Sequence, residues 1–470
     1  MAAQDRVLAG RNEYDQARDV RVGSALSDDS LSVTLASDQG AVPVSLVDLG
    51  QATMSASLPV AIARDQGSLS VAPLVDGISF DSFGRQRMSS PQGLFDAQFT
   101  NDLHPLLFEQ VVSGTGAAIA HDATNRAGLI TFASTPANGK AYFQSFESIR
   151  YQPGKSQQAF VTFNMRGGVV GATKFAGLGD GVNGVEFALI DTTPTVRILS
   201  DTENGDDPVP QSGWNLDKLN GAGASGIDLN LTMTQIFGLD LQALYVGRVR
   251  VGFDIDGVFI ACHEFLHANR VPFPYIQTAN LAVRCGMVAT ATVSTTMLYI
   301  CCTVISEGGQ EDTAGYRFTT FASLTAGSGA RTHAISLRPK TTFNNIANRF
   351  RILIDSIEVS VRGSNPVKWE LCIGQALTNP TYADVNATYS AMEASTAGTL
   401  SGDPAIVIDG GEVAVSTQSK AAMSTNIPAR YPMTLNAAGA QRILGTYTVL
   451  LTGIGGTSAA TVTVKWKEIR

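Results

Sequence analysis

The sequence predicts an all-β protein: an N-terminal arm containing a repeat, followed by two β-sandwiches of jelly-roll-like or lectin-like kind. Three observations predict it. From residue 79 onward the apolar runs are short, rich in Val, Ile, Phe and Thr, and repeatedly broken by Gly, Asn, Asp and Pro, which is how strands separated by turns read. The 470 residues include 46 glycines and only 16% charged side chains, a balance that favours turn-rich sheets and extensive association over a solitary, heavily solvated monomer. Sustained apolar spacing at three and four residues, which an amphipathic helix requires, is hard to find.

Residues 1–27 mix Arg6, Arg11, Arg18 and Arg21 with Asp5, Glu13, Asp15 and Asp19 and show little apolar periodicity, so they read as an arm. A repeat follows. Ser30–Leu46 recurs 27 residues later as Ser57–Leu74, each copy a strand, an Asp-Gln-Gly turn (Asp38 to Gly40, Asp65 to Gly67) and a second strand. Leu31, Val33 and Leu35, then Val42, Val44 and Leu46, alternate with smaller or polar residues; Leu58, Val60, Ile62, Leu69 and Val71 are their counterparts in the second copy. One face of each short strand is thereby directed at a partner. A hairpin of this size is marginal in water by itself, and two copies are too few for a self-standing solenoid. These positions are therefore expected to form a docking region spanning 1–78.

The central sandwich is expected over 79–312. Its clearest unit is Gly247–Ile255 and Val258–Phe265 around Asp256-Gly257, a dipeptide that tolerates the positive φ angles of a type I′ hairpin turn. The glycine-rich Asn220–Gly226 reads as a loop. The C-terminal sandwich, 313–470, offers strands at Arg351–Val361, Val367–Ile373, Ala405–Ile408 and Ala460–Glu468. The last of these repeats the Val-Lys-Trp of 367–369, which places Trp369 and Trp466 in comparable strands of one sandwich.

Charge and cysteine usage narrow the partners. Lys plus Arg number 33 against 41 Asp plus Glu, a formal charge of -8, which offers no general electrostatic reason to seek a nucleic-acid backbone, and no nucleic acid is expected as partner. Cys262, Cys285, Cys301, Cys302 and Cys372 are odd in number and contain no C-x-x-C pair; buried thiols are expected in place of a disulfide framework or zinc knuckle. Met1–Gly10 lacks an apolar signal core, and no stretch approaches the roughly 18 apolar residues of a membrane span. Synthesis in a cytoplasm is expected, with no membrane partner.

Several strings imitate chemistry. His263-Glu264-Phe265-Leu266-His267 spells H-E-x-x-H, in which two imidazoles on one helix face hold zinc while the carboxylate activates water. Here the string continues a predicted strand, where residues four apart stand about 13 Å from each other, too far for one metal unless the chain bends after Phe265, and Val271-Pro272 closes any helix soon after. His104, His121 and His333 stand in no spacing that announces a third ligand. A strand end with hydrogen-bonded histidines is the expectation. Pro153-Gly154-Lys155-Ser156 resembles the end of a P-loop, but Ile149 occupies the position of the first glycine, and a β-turn between strands fits better. Asp254, Asp256 and Glu264 could supply paired carboxylates or calcium ligands, although Asp256 is already a turn residue. Tyr245, Trp214 and Tyr275 could line a sugar site at a sandwich edge. No G-x-S-x-G elbow is present. No catalytic, cofactor or metal residues are expected, and the chain is read as a non-enzyme.

Longer segments carry a family resemblance. Phe80–Arg87, Leu94–Asp96, Phe146–Ser156, Gln211–Gly221, Gly247–Phe253, His263–Asn269, Cys302–Gly309 and Lys465–Arg470 resemble structural proteins of tailed bacteriophages, notably marine and environmental ones, over about Ser79 to Arg470. The repeats before them look like the β-rich segments that precede phage appendage domains. The resemblance implies a virion component with no catalytic residues to carry over. Within the virion, the first expectation is a tail-associated fibre or baseplate-type protein that docks on other virion proteins through its N-terminal region and oligomerises through its sandwiches. A homotrimer is the analogy with phage appendages. The alternatives are a capsid decoration, cement or head-fibre protein, and a module that binds host-surface glycan.

Overall fold

A computed structural model describes residues 6–11, 17–22, 90–242, 244–308, 315–415, 421–422 and 433–470. The chain divides into two compact units, Met1–Ser79 and Phe80–Arg470. In the first, β1 (Arg6–Arg11) and β2 (Ala17–Val22) pair antiparallel, Arg6 opposite Val22 and Arg11 opposite Ala17. The pair lies within the stretch read as an arm; a ladder between segments so close in sequence costs little loop-closure entropy and needs no apolar alternation. Both repeats, and with them the docking positions Leu31 to Val71, lie outside the described residues.

The second unit opens with β3 (Pro91–Gln98), β4 (Phe108–Ser113), β5 (Ala117–Asp122), β6 (Ala127–Thr135) and β7 (Lys140–Ser145). Then come β8 (Gln157–Asn164), β9 (Ala172–Gly179), β10 (Gly184–Ile190), β11 (Thr193–Leu199) and β12 (Asp207–Pro210). The first sandwich is completed by β13 (Gln235–Leu241), β14 (Val249–Ile255), β15 (Val258–Phe265), β16 (Ala282–Ala289) and β17 (Val293–Glu307). One sheet has the order β12-β11-β10-β9-β16-β7-β4, the other β15-β14-β13-β8-β17-β6-β5, with β3 along the second half of β17.

Alternation decides which way each strand faces. In β8, Ala159, Val161 and Phe163 point inward while their neighbours are half-exposed. Across the gap Phe187 of β10 meets Phe163 at 5.9 Å and the edge of Phe253 at 5.3 Å between ring centroids. Phe99, Phe108, Phe143 and Tyr299 make a second aromatic group in the same core. Each such ring withdrawn from water contributes roughly 1.5–3 kcal/mol. The β14–β15 hairpin forms as the sequence predicts, with Asp256 at φ 55° and Gly257 at φ 80° between Ile255 and Val258. Cys262 is the extra residue of a bulge, since Val251 faces His263 while Gly252 faces Ala261. The P-loop-like string is a turn: the Lys155 amide donates to the Gln152 carbonyl at 3.2 Å, with Gly154 at φ 89° after Pro153, the arrangement of a type II turn.

The second sandwich begins with β18 (Tyr316–Ala326), β19 (Thr332–Pro339), β20 (Thr342–Phe343), β21 (Ile346–Ala347), β22 (Arg351–Val361) and β23 (Val367–Ile373). It continues with β24 (Leu377–Thr378), β25 (Ala383–Asp384), β26 (Met392–Ser395) and β27 (Thr399–Leu400). The last strands are β28 (Ile406–Val413), β29 (Ala421–Ala422), β30 (Tyr447–Gly453) and β31 (Ser458–Ile469). Its sheets run β18-β31-β22-β29 and β25-β26-β19-β30-β23-β28, with two small ribbons, β20-β21 and β24-β27. Trp369 and Trp466 do belong to one core, entering it from opposite sheets. The Trp466 indole donates to the wholly buried Glu468 at 3.1 Å, which also accepts from the Ser390 hydroxyl at 2.6 Å and the Ala391 amide at 2.9 Å. Among the described residues there is no α-helix, and the protein is all-β.

The second sandwich packs on the first near β4 and β7. Glu109 accepts from the Ala437 amide at 2.5 Å, Arg351 pairs with Glu147 at 3.3 Å, and Arg349 pairs with Asp180. The Arg442 guanidinium lies 3.4 Å above the Phe146 ring centre.

Candidate functional site

The base of the β14–β15 hairpin gathers most of the residues that the sequence singled out. The bulge at Cys262 shifts the register just before His263. Asn215 clamps the next residue, its side chain donating to the Glu264 carbonyl and accepting from the Glu264 amide, both at 2.9 Å. The Asn215 amide donates to His263 Nδ1 at 3.3 Å, and the ring edge rests on Phe265. His267 Nδ1 lies 2.7 Å from the Gly247 carbonyl, and its ring stacks on Tyr275 at 4.0 Å and 14°. Tyr275 in turn donates its amide to the Tyr245 carbonyl at 3.0 Å.

These bonds assign the tautomers. A backbone N–H donating to His263 Nδ1 leaves the ring proton on Nε2, whereas a carbonyl facing His267 Nδ1 requires the proton there. Burial pushes both imidazoles below their ordinary pKa, so the neutral forms prevail. A metal ligand needs an imidazole lone pair, and His263 has none to give without losing its bond to Asn215. Glu264, the would-be base, lies 3.7 Å from Arg248. Among the described residues no three His, Cys, Asp or Glu side chains converge to hold a metal.

The loops tied together here present an apolar rim. Leu244, Tyr245 and Val246 lead into Gly247, Leu266 precedes His267, Phe273 precedes the Tyr275 loop, and Leu216 follows Asn215; all six side chains are exposed. The amides of Leu216 and Asp217 both donate to the Cys262 carbonyl, at 3.1 and 3.2 Å, and Asn204 holds the Phe273 carbonyl at 2.7 Å. Leu244 and Tyr245 have φ of 32° and 59°. A bulky side chain in this region costs on the order of 1–3 kcal/mol and persists only where its surroundings hold it.

The other predicted positions disperse. Asp254 accepts from the Gly257 amide at 3.2 Å and so belongs to the turn. Together with Asp256 it borders a shallow groove shared with Asp228 and Asn230, while Glu264 sits at the far end of β15. Trp214 is buried, its indole donating to the Val209 carbonyl at 3.2 Å, and Tyr275 is buried beneath His267. Of the three aromatics considered for a sugar, only Tyr245 reaches the surface. The cysteines other than the half-exposed Cys301 are buried.

Two buried charge clusters escaped sequence reading. Glu186, wholly buried, is held by Arg197 at 2.9 Å and Arg284 at 3.1 Å, and the Arg284 guanidinium lies 4.8 and 4.9 Å from the Tyr142 and Phe175 ring centres. Lys174 donates to the carbonyls of Met165, Gly167 and Thr296 at 2.5, 3.0 and 3.0 Å, and burial lowers its pKa to about 8. Both draw on strands far apart in sequence. Their one visible signal is a charge inside an otherwise apolar strand, as at Glu186 between Val185 and Phe187.

No protein-family model and no curated protein matches the chain. Among solved structures, the cellulose induced protein Cip1 aligns over 45% of this chain and 96% of its own, at 13% identity and a TM-score of 0.31. A conserved carbohydrate esterase from Shiga toxin-encoding bacteriophage phi24B aligns over 46% of this chain and 100% of its own, at 10% identity and 0.29. An immunostimulatory antigen and pseudo beta-1,3-glucanase of Mycobacterium tuberculosis aligns over 46% and 99%, at 12% and 0.30.

Proposed function

We propose that this chain is a non-enzymatic, contact-making structural component of a tailed-phage virion, first a tail-associated fibre or baseplate-type protein and alternatively a capsid decoration or head-fibre protein. The observation that carries the contact-making part is the apolar rim: six large apolar side chains stand exposed on loops that partly buried hydrogen bonds and a stacked ring pair hold in place. Soluble proteins leave such patches uncovered chiefly where another molecule covers them. Backbone strain at Leu244 and Tyr245 supports the same reading, since strain is retained where a surface must keep one shape. The virion part is supported by the resemblance of Phe80–Arg87, Phe146–Ser156 and Gln211–Gly221 to tailed-phage structural proteins. On this reading the repeats of residues 1–78 dock on a neighbouring virion protein by edge pairing or apolar packing.

Quantitative mass spectrometry of washed infectious particles tests the proposal. A small fixed copy number favours the tail and a number matching the capsid lattice favours decoration; absence from the particles defeats both. Tyr245→Ser combined with Phe273→Ser should leave the protein folded yet lower its incorporation. Stoichiometric zinc lost in His263→Ala together with peptidase activity, or hydrolysis of a polysaccharide, would overturn the non-enzymatic part. Retention on an array of host-surface glycans, abolished by Tyr245→Ser, would make the rim a glycan site instead.

A further inference from the structure

Several sheet edges of the second unit carry features that discourage pairing with a foreign strand. β12 is four residues long and contains Pro208 and Pro210. β15 has the Cys262 bulge, and β28 has a bulge at Ile408 and carries Asp409 and Glu412. Prolines, bulges, charges and short length all blunt an edge. β18 has almost none of this protection. It runs eleven residues at the edge of the four-stranded sheet, in unbroken register with β31, and its only charge is Arg317 near one end. At its midpoint stands Phe321, 69% exposed. On that outer face the facing residues of β31 are Thr461, Thr463, Lys465 and Lys467, so Phe321 is an apolar side chain beside a polar surface.

We propose that β18 is a self-association edge, on which the β18 of a second copy of this chain pairs antiparallel about a two-fold axis through Phe321. With the axis there, the five residues on each side map onto one another. Phe318 falls opposite Leu324 and Thr320 opposite Ala322. Phe318, Ala322 and Leu324 already face the core of their own sandwich, so the apolar row continues across the axis. On the outer face Phe321 meets Phe321 of the second copy, the aromatic cross-strand pair that covers both rings. Thr319 falls opposite Ser323 and Arg317 opposite Thr325, so no like charges oppose. This self-complementarity is what selects a second copy over an unrelated extended peptide, which would satisfy the backbone alone. An isologous contact of this kind closes on itself. A trimer of the sort phage appendages form would then use other surfaces. The inference stands on the strand and not on the virion assignment, and either can fail without the other.

Sedimentation of the full chain over a range of concentrations should show a monomer–dimer equilibrium. Phe321→Lys, which sets two ammonium groups opposite each other at an exposed position, should leave the melting temperature unchanged at concentrations where the chain is monomeric and raise the dimer dissociation constant by about tenfold or more. Phe321→Cys should form an intermolecular disulfide under mild oxidation above the level of the unmodified chain. Thr325→Cys should not, because Thr325 faces Arg317 and not itself. A chain that stays monomeric, or a dimer that Phe321→Lys leaves intact, overturns the proposal. So does linking through Thr325→Cys as efficient as through Phe321→Cys.

Discussion

At the scale of single residues, burial has removed the ionised forms of the very groups that looked chemical. His263, His267 and His333 all have pKa values pushed below the ordinary histidine value by burial. Below pH 6.5 the unfolded chain therefore binds protons that the folded chain refuses, so stability is full above that pH and falls as pH drops toward the folded values. Each histidine contributes a slope of at most about 1.4 kcal/mol per pH unit in that window. Glu370, held at about 2 chiefly by its hydrogen bonds from Arg331, loses its contribution only below about 4.5, which keeps the two windows apart. Melting temperatures between pH 7.5 and 5 should decline, and His267→Phe, which keeps the stack on Tyr275 but takes no proton, should flatten part of the decline. An unchanged slope in that variant would mean that His267 ionises freely in the folded state. A strand end with hydrogen-bonded histidines was legible from the sequence, although β15 stops at Phe265 and His267 stands in the chain beyond it, bonded toward the Gly247 carbonyl. The acidic partner of Arg197 and Arg284 was not, because nothing local ties residue 186 to residue 284.

At the scale of elements, the strands that announced themselves are those whose two faces differ. Arg351–Val361 and Val367–Ile373 have the predicted bounds, and Asp256-Gly257 fixes its hairpin through two positive φ angles. Less legible were strands buried on both faces, such as β16, whose Ala282–Val288 contains Arg284 and Gly286 within an otherwise apolar run. Gly286 shows what that burial demands. A Cβ there would collide with the Cβ and backbone of Tyr142 on neighbouring β7, and Tyr142 is one of the two rings that flank Arg284. Gly286→Val should therefore push β7 away, loosen the cover over Arg284 and destabilise the first sandwich by roughly 2–4 kcal/mol, the range of overpacking plus a disturbed buried ion pair. Gly205→Val, at a position where a Cβ would stand in open space but φ is positive, should cost less. Thermal denaturation of the two variants side by side decides; equal losses would mean that the approach of β7 adds nothing at Gly286 beyond what a strained, open position costs.

At the scale of the whole molecule, the two sandwiches have separate apolar cores, yet the surface between them is built like an interior. Arg442 lies against Phe146, and burial lowers its pKa to about 10. Ordinary interfaces between domains of one chain are small and polar, and permit independent motion. Here a carboxylate–amide bond, two ion pairs and a desolvated guanidinium–ring contact act on one patch, and a desolvated cation–ring contact contributes about 2 kcal/mol. The sandwiches should consequently unfold together, giving one calorimetric transition that persists in high salt, since partly buried pairs are weakly screened. Arg442→Ala with Phe146→Ala should divide that transition in two and lower the less stable part, while leaving both cores intact. Two transitions in the unaltered protein would show that each sandwich stands alone and that the patch only sets their relative orientation. That orientation bears on the proposed contact-making role, because a protein whose halves turn freely cannot hold the exposed side chains beside His267 and the edge at β18 in fixed relation.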